Sequence, residues 1–404
     1  MDSKKSGIHT VVQVPSSRKY PATGMTVAVL VTTALLVLTQ LYSSIPLLPA
    51  VSETFHTDAT YVLSVSFSFA YAIGFLIWGP ISDHYGRVKV VCIALLVLIF
   101  TTAGCAFATS AGLLTVLRAC QGLAAAGFAP VALAYMTEAV PPEHRARAIG
   151  AISTAFLAAG ILGQVVASVI VLNVGWQWFF GICSLLLTGA FALTLLTMSE
   201  QPHSTPRASL RTQFATLGVL FIKPVFLLLG LAHLTLLLSF VALYTGLGRH
   251  LNTLGVSESA IILVRLAAFP SMFVSLAAGA LARKYGVLRV AQIGFGISLV
   301  GLLSEFLSTN MLVGIILTSL VYVAGVALAI PSMITLYGEA AAPHRASGMA
   351  INGFVLFVGA SAGPLIGALP VSFSILTLLL TGLMVVASCA LLAISSLALF
   401  KQAA

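Results

Sequence analysis

Long apolar runs broken by short polar turns recur along this chain. A helix that crosses a bilayer needs about 20 apolar residues. Runs of that kind predict twelve helices, near 25–48, 58–81, 88–108, 111–138, 146–172, 175–198, 223–247, 257–281, 288–308, 311–338, 346–369 and 373–399. The connecting turns are short except for the polar stretch 199–213, whose Pro, Ser and Arg residues read as a solvated linker. The pattern divides the chain into a tail (1–24), a first half (25–198), a linker (199–222), a second half (223–399) and a short second tail (400–404). The expected fold class is all-α: a polytopic membrane protein of two six-helix bundles.

The halves also repeat. Gly79, Tyr85, Gly86 and Val90 recur as Gly279, Tyr285, Gly286 and Val290, and Lys89 returns as Arg289. The triplet His144-Arg145-Ala146 returns as His344-Arg345-Ala346 at the same offset. Equal spacing at two separate places implies duplication. Two related halves of apolar spans joined by basic turns is the architecture of a secondary transporter.

Composition fixes the solvent. Charged residues make up 7% of the 404 residues and apolar ones 59%, whereas a soluble domain is about 25% charged. The formal charge of +9 does not point to nucleic acid, because the basic residues lie singly or in pairs at the ends of apolar runs. They read as topology signals and contacts for anionic head groups. Lys4, Lys5, Arg18, Lys19, Arg87, Lys89, Arg145, Arg147, Arg207, Arg211, Lys223, Arg283, Lys284, Arg289, Arg345 and Lys401 fall on one side, Arg249 on the other. This bias places both termini in the cytoplasm of a cell with the protein in its plasma membrane. The polar N-terminal tail is expected to be disordered, and the run from Gly24 to Ala50 is too long for a signal-peptide core. Five cysteines, Cys92, Cys105, Cys120, Cys183 and Cys389, lie in apolar runs without metal-ligand spacing and read as buried free thiols. No metal and no cofactor is expected. The partners expected are a small-molecule substrate, protons and lipid, with the protein a monomer.

The turn after the second span carries Gly79, Asp83, Gly86 and Arg87. The fourth span carries Leu114, Arg118, Gln121 and Gly122. With twelve spans as six plus six, these resemble the signatures of the major facilitator superfamily, in particular its drug:proton antiporters. The resemblance implies that the first cluster latches the cytoplasmic side closed in the outward-facing state. Asp83 would accept hydrogen bonds from Arg87 and from the N-terminal end of a helix in the other half. His84 and Val88 stand where the family often has further basic residues, and Arg283 replaces the acid in the second copy. The resemblance assigns Arg118 and Gln121 to proton coupling. The exporters' span-five signature is incomplete: Ala159, Gly160, Gly163 and Gln164 lack its proline, while Gly359, Gly363 and Pro364 in span eleven match it more closely. Those glycines, with Gly122, are expected to let helices approach closely. Export is further supported by the likeness of Leu41–Pro49 to the same exporters, and uptake or facilitated transport of a small metabolite stays open.

The acidic residues all fall in turns or near span ends, so no buried carboxylate is expected. Arg118, His233 and Arg265 are the ionisable groups within spans. Two arginines and a histidine favour neutral or anionic cargo. His233 is the default proton carrier, with a plain interhelical hydrogen bond as the alternative. Arg265 either faces the cavity or snorkels outward. Gln40, Tyr42, Ser43, Tyr71, Gln121, Tyr244, Tyr322 and Asn352 are candidate polar lining. A nucleotide-driven pump is disfavoured because no phosphate-binding loop is present, and an enzyme because no paired carboxylates or nucleophile–base pair stand out. A receptor or scaffold that kept the fold without transport is the remote alternative.

Overall fold

The computed structural model describes residues 22–200, 209–342 and 344–396. The terminal tails and the middle of the linker lie outside the described residues. Twelve helices among the described residues are long and apolar enough to cross a membrane. In order, these spans are Gly24–Tyr42, Thr60–Tyr85, Arg87–Ala106, Ala111–Ala139, Arg147–Val174, Trp176–Thr197, Pro224–Thr253, Ser259–Tyr285, Val287–Leu307, Leu312–Ala340, Ser347–Gly367 and Phe373–Ser396. They are numbered 1 to 12 below.

Burial sorts them. Span 7 has 72% of its most apolar window inside the protein, span 6 only 39%. Outward leucines such as Leu185 and Leu196 need no protein partner, because lipid is as apolar as they are. Cys105 and Cys183 are buried, whereas Cys120 and Cys389 face outward, against the expectation of five buried thiols.

Three details depart from the apolar pattern. Span 1 breaks at Ser43 and resumes as Ser44–Phe55, a helix containing Pro49. Pro46 and Pro49 have no N–H to give, which frees carbonyls one turn back. Span 2 opens with a π-helical segment, Thr60–Val65, a form often found at functional sites. The stretch read as a solvated linker holds a helix, Leu210–Phe221, capped by the Ser209 side chain. Its last residue, Phe221, packs edge-on against Phe354 of span 11.

The repeat is visible in the backbone. Gly86 and Gly286 each join two spans with φ of +108° and +88° and the same ψ of 147°. Only glycine adopts that conformation without strain.

The first six and last six spans meet along aromatic and small-residue seams. Tyr71 and Phe75 of span 2 pack on Phe357 of span 11, with ring centroids 4.3 and 5.2 Å apart. Tyr42 of span 1 meets Phe240 of span 7 at 6.1 Å, and Gly160 lies beneath both rings.

Candidate functional site

Arg118 sits on span 4 with no exposed surface. Nε and Nη2 donate to the Leu63 carbonyl at 3.0 and 2.9 Å, within the π-helical segment. Nη2 also donates to the Gln40 carbonyl at 3.0 Å and to Ser44 Oγ at 2.7 Å, both at the break in span 1. Nη1 donates to Gln121 Oε1. Both helical irregularities therefore aim backbone oxygens at one guanidinium. Its face lies 4.3 Å from the Phe67 ring centroid, and Phe180 stands at 5.7 Å, a cation–π arrangement. Gln121 Nε2 in turn donates to Gln40 Oε1 at 3.0 Å and Thr102 Oγ1 at 2.8 Å. Spans 1, 2, 3 and 4 are thus tied at one buried knot.

Of the residues expected to form the latch, Asp83 and Arg87 are in contact. Arg87 forms ion pairs with Asp83 and with Glu138 of span 4, the latter at 2.9 Å, and donates to Ser82 Oγ. The N-terminus of span 3 is held from elsewhere. The Glu200 carboxylate, just beyond span 6, accepts from the backbone N–H of Arg87 at 2.8 Å and of Val88 at 3.0 Å. A carboxylate at a helix N-terminus offsets the unpaired donors and the dipole there. A Cβ on Gly86 would strike that carboxylate. Gly79 is less crowded: an added Cβ would lie 3.8 Å from Ala350 Cβ, an ordinary contact.

Four cavities lie along the molecule between the halves. A vestibule of about 560 Å³ on the latch face is lined by Asp83, Arg87, Glu138, Glu339 and Arg345 among others. It adjoins a central cavity of about 70 Å³, with Pro130, Leu133, Ser153, Ile334 and Met349 lining both. The central cavity is walled by Tyr42, Tyr71, Phe75, Phe156 and Phe357, with Asn352 among its few polar groups. Beyond it, space narrows to about 10 Å³ between Tyr42, Ser64, Ser68 and Pro364. A second vestibule of about 530 Å³ then opens on the opposite face, lined by Glu53, Asp58, Arg249 and Arg265. The central cavity thus shares five lining residues with the vestibule on the latch face and one, Tyr42, with the narrow space on its other side.

The sequence-derived candidates divide among these places. Arg118, Gln121 and Gln40 form the buried knot, with Ser43 Oγ donating to the Gln40 carbonyl at 3.1 Å. Tyr42, Tyr71 and Asn352 line the central cavity. Arg265 lines the far vestibule and donates across the halves to Ser168 Oγ at 3.3 Å. His233 is fully buried on span 7, its ring centroid 5.6 Å from that of Tyr337. Asn352 is its polar neighbour, close but not aligned for a hydrogen bond. Arg118, His233 and Arg265 are thus not brought together in one cavity. Gly122 backs onto the Phe67 carbonyl, Gly163 onto Thr39, Gly359 onto Leu234 and Gly363 onto Val241. An added side chain would collide at Gly122, Gly359 and Gly363 and press tightly on Thr39 at Gly163.

One expectation is corrected. Glu305, in the last turn of span 9, has no exposed surface. Ser319 of span 10 donates to its Oε1 at 3.3 Å, and its Oε2 has no partner. Hydropathy placed it near a span end, where a carboxylate ordinarily reaches water; packing by spans 9 and 10 covers it instead.

Comparison with known proteins agrees with this geometry. Residues 30–364 match the model of the Major Facilitator Superfamily. The chain is 26% identical over 348 residues to the uncharacterised MFS-type transporter YybF of Bacillus subtilis (strain 168), covering 81% of this chain and 82% of that one. It is 30% identical over 264 residues to the inner membrane transport protein YnfM of Escherichia coli (strain K12), covering 61% and 60% respectively. Among solved structures, the crystal structure of the human organic anion transporter MFSD10 (TETRAN) is similar in fold, with a TM-score of 0.72 at 18% identity, covering 91% of this chain and 99% of that one. Members of the superfamily move small molecules through membranes and are not enzymes. By its twelve spans and by the match over most of its length, this chain belongs to the Major Facilitator Superfamily.

Proposed function

We propose that the protein exports a neutral amphiphile across the cytoplasmic membrane by proton antiport, with both termini in the cytoplasm. The observation that carries this reading is the central cavity. Its wall is aromatic and aliphatic and adjoins the vestibule on the latch face, which the lysine and arginine bias puts in the cytoplasm. Cargo would load from that side. An anion in such a site would need a cation free to meet it. The donors of Arg118 are taken up by the protein itself, and Arg265 stands at the far vestibule. That supports the neutral half of the expectation over the anionic half. At about 70 Å³ the cavity is far below the roughly 300–1,000 Å³ of a ligand site. The Tyr71–Phe357 seam must therefore part as cargo enters, by a rocking of the halves.

The test uses inside-out vesicles with an acidified lumen and a pH-sensitive dye. N-phenyl-1-naphthylamine, a neutral amphiphile, is expected to release lumenal protons. Its sulfonated relative 1-anilinonaphthalene-8-sulfonate is expected to release few, and ethidium none. Equal release by the sulfonate would overturn the neutral preference. Release by ethidium alone would overturn the cavity argument. Release by none of the three, in vesicles shown to hold the protein, would overturn antiport of amphiphiles.

A further inference from the structure

We propose that Glu305 is the proton-carrying group of this transporter, loaded from the vestibule opposite the latch face. The inference rests on the antiport reading above. Arg118, by contrast, is a positioning group whose bonds lie within the first half.

Three observations carry it. First, Glu305 is a fully buried carboxylate with one hydrogen bond, from Ser319, and one oxygen with none. Burying an ionised carboxylate without a partner is costly, and among the described residues no arginine, lysine or histidine pairs with it. With no cation beside it, its negative charge is removed by taking up a proton and returns when that proton leaves. Second, the repeat gives its location meaning. Glu305 occupies the position of Cys105, whose Sγ lies 4.0 Å from Gln121 Oε1 in the Arg118 knot. Tyr244, within electrostatic reach of Glu305, occupies the position of Ser44, an acceptor for Arg118. Glu305 therefore takes, in the second half, the position of a residue that borders the Arg118 knot in the first, while Thr318 stands at the position of Arg118 itself. Third, Glu305 lies in the last turn of span 9, remote from the basic turn at Gly286 and toward the end of the molecule that holds the far vestibule. Tyr244 has a buried hydroxyl without a partner and lies within electrostatic reach of Arg265. The next residue, Thr245, lines the far vestibule together with Gly248 and Arg265.

The groups facing Glu305 can be named element by element. Span 10 contributes Ser319 and Tyr322, whose hydroxyl shares a 2.7 Å hydrogen bond with Ser239 of span 7. Span 7 contributes Tyr244 and, nearer the membrane edge, His250, hydrogen-bonded to the Thr309 carbonyl at 2.7 Å. Span 12 presents Thr377 and Thr381 but no titratable side chain in this region. Span 8 adds Arg265 at the far vestibule, while its Arg283 and Lys284, with Arg289 of span 9, lie at the opposite end. Among the described residues, Glu305 is the one buried carboxylate.

In the cycle, water in the far vestibule gives a proton to the Glu305 carboxylate, forming the neutral acid. Rocking of the halves turns the acid toward the latch face, where the proton returns to water. Cargo crosses in the opposite sense, and nothing is oxidised or reduced.

Two measurements test this on the full-length protein. In inside-out vesicles, proton release driven by N-phenyl-1-naphthylamine is expected to fall in Glu305→Gln to the level of vesicles lacking the protein. Glu305→Asp should restore it with a displaced pH profile. A role confined to packing would scale the wild-type profile without changing its shape, and that result would overturn the proposal. Purified protein in nanodiscs gives the second readout, by infrared difference spectroscopy as pH is stepped. A protonated-carboxyl band present in wild type and missing in a folded Glu305→Gln supports the assignment; an unchanged band overturns it. Wild-type vesicles that release no protons while the band still depends on Glu305 would sink the antiport reading and leave the proton site standing.

Discussion

Replacing Arg118 by lysine keeps the charge and removes the fork. Arg118 makes five hydrogen bonds to four acceptors: the Leu63 and Gln40 carbonyls, Ser44 Oγ and Gln121 Oε1. Those acceptors belong to spans 1, 2 and 4 and the helix that continues span 1. A lysine has three donors on a single nitrogen, so at least two of the five bonds are lost. Hydrogen bonds to a charged group contribute about 1.5–3 kcal/mol each, which puts the loss at about 3–6 kcal/mol. Both carbonyls keep one other donor, Ser43 Oγ on Gln40 at 3.1 Å and Ser44 Oγ on Leu63 at 3.2 Å, so the cost stays within that range. Thermal unfolding of the detergent-purified protein, followed by fluorescence-detected size exclusion, reads the effect. Arg118→Lys is expected to melt several degrees below wild type. A melting temperature within a degree of wild type would refute the view that this guanidinium holds the first half together.

Two further predictions rest on packing and on the latch. Gly122→Ala and Gly359→Ala put a methyl into the carbonyls of Phe67 and Leu234, whereas Gly296 has nothing within 4 Å. The first two should each cost about 1–3 kcal/mol in unfolding measurements and Gly296→Ala almost nothing; equal effects would refute the close-approach role. Arg87 is shared by Asp83 and Glu138, so either acid can compensate for loss of the other. Asp83→Asn with Glu138→Gln is expected to lower the melting temperature by more than the sum of the single changes, and strict additivity would refute the shared-partner view.

What was legible in the chain follows from what each feature needs. The spans were legible because a bilayer demands long apolar runs, and the duplicated glycine turn because φ near +100° admits little else: Gly86 and Gly286 take the same conformation at the same place in each half. Arg118 and Gln121 were legible as a pair because three residues on a helix share a face, and they do bond. Their other partners combine the side chains of Ser44, Gln40 and Thr102 with the carbonyls of Gln40 and Leu63, and no spacing along the chain announces the π-helical segment that presents Leu63. The same limit explains why Arg118 was expected to face the cavity: periodicity places a residue within a span, while its direction depends on how four helices meet. Glu200 and Glu305 were both read as acids at the ends of apolar runs, yet they have opposite fates. Glu200 lies past span 6 and turns back to hold the start of span 3, a role set by the spatial neighbourhood of two elements distant in sequence. Glu305 falls two residues before its span ends, and one more turn of span 10 over it converts a surface acid into a sealed one. Hydropathy cannot resolve a difference of that size. Tertiary packing decides it, and in a fold whose two halves repeat, the register between them shows where to look. The position that holds Cys105 beside the Arg118 knot holds, in the second half, the buried carboxylate of Glu305.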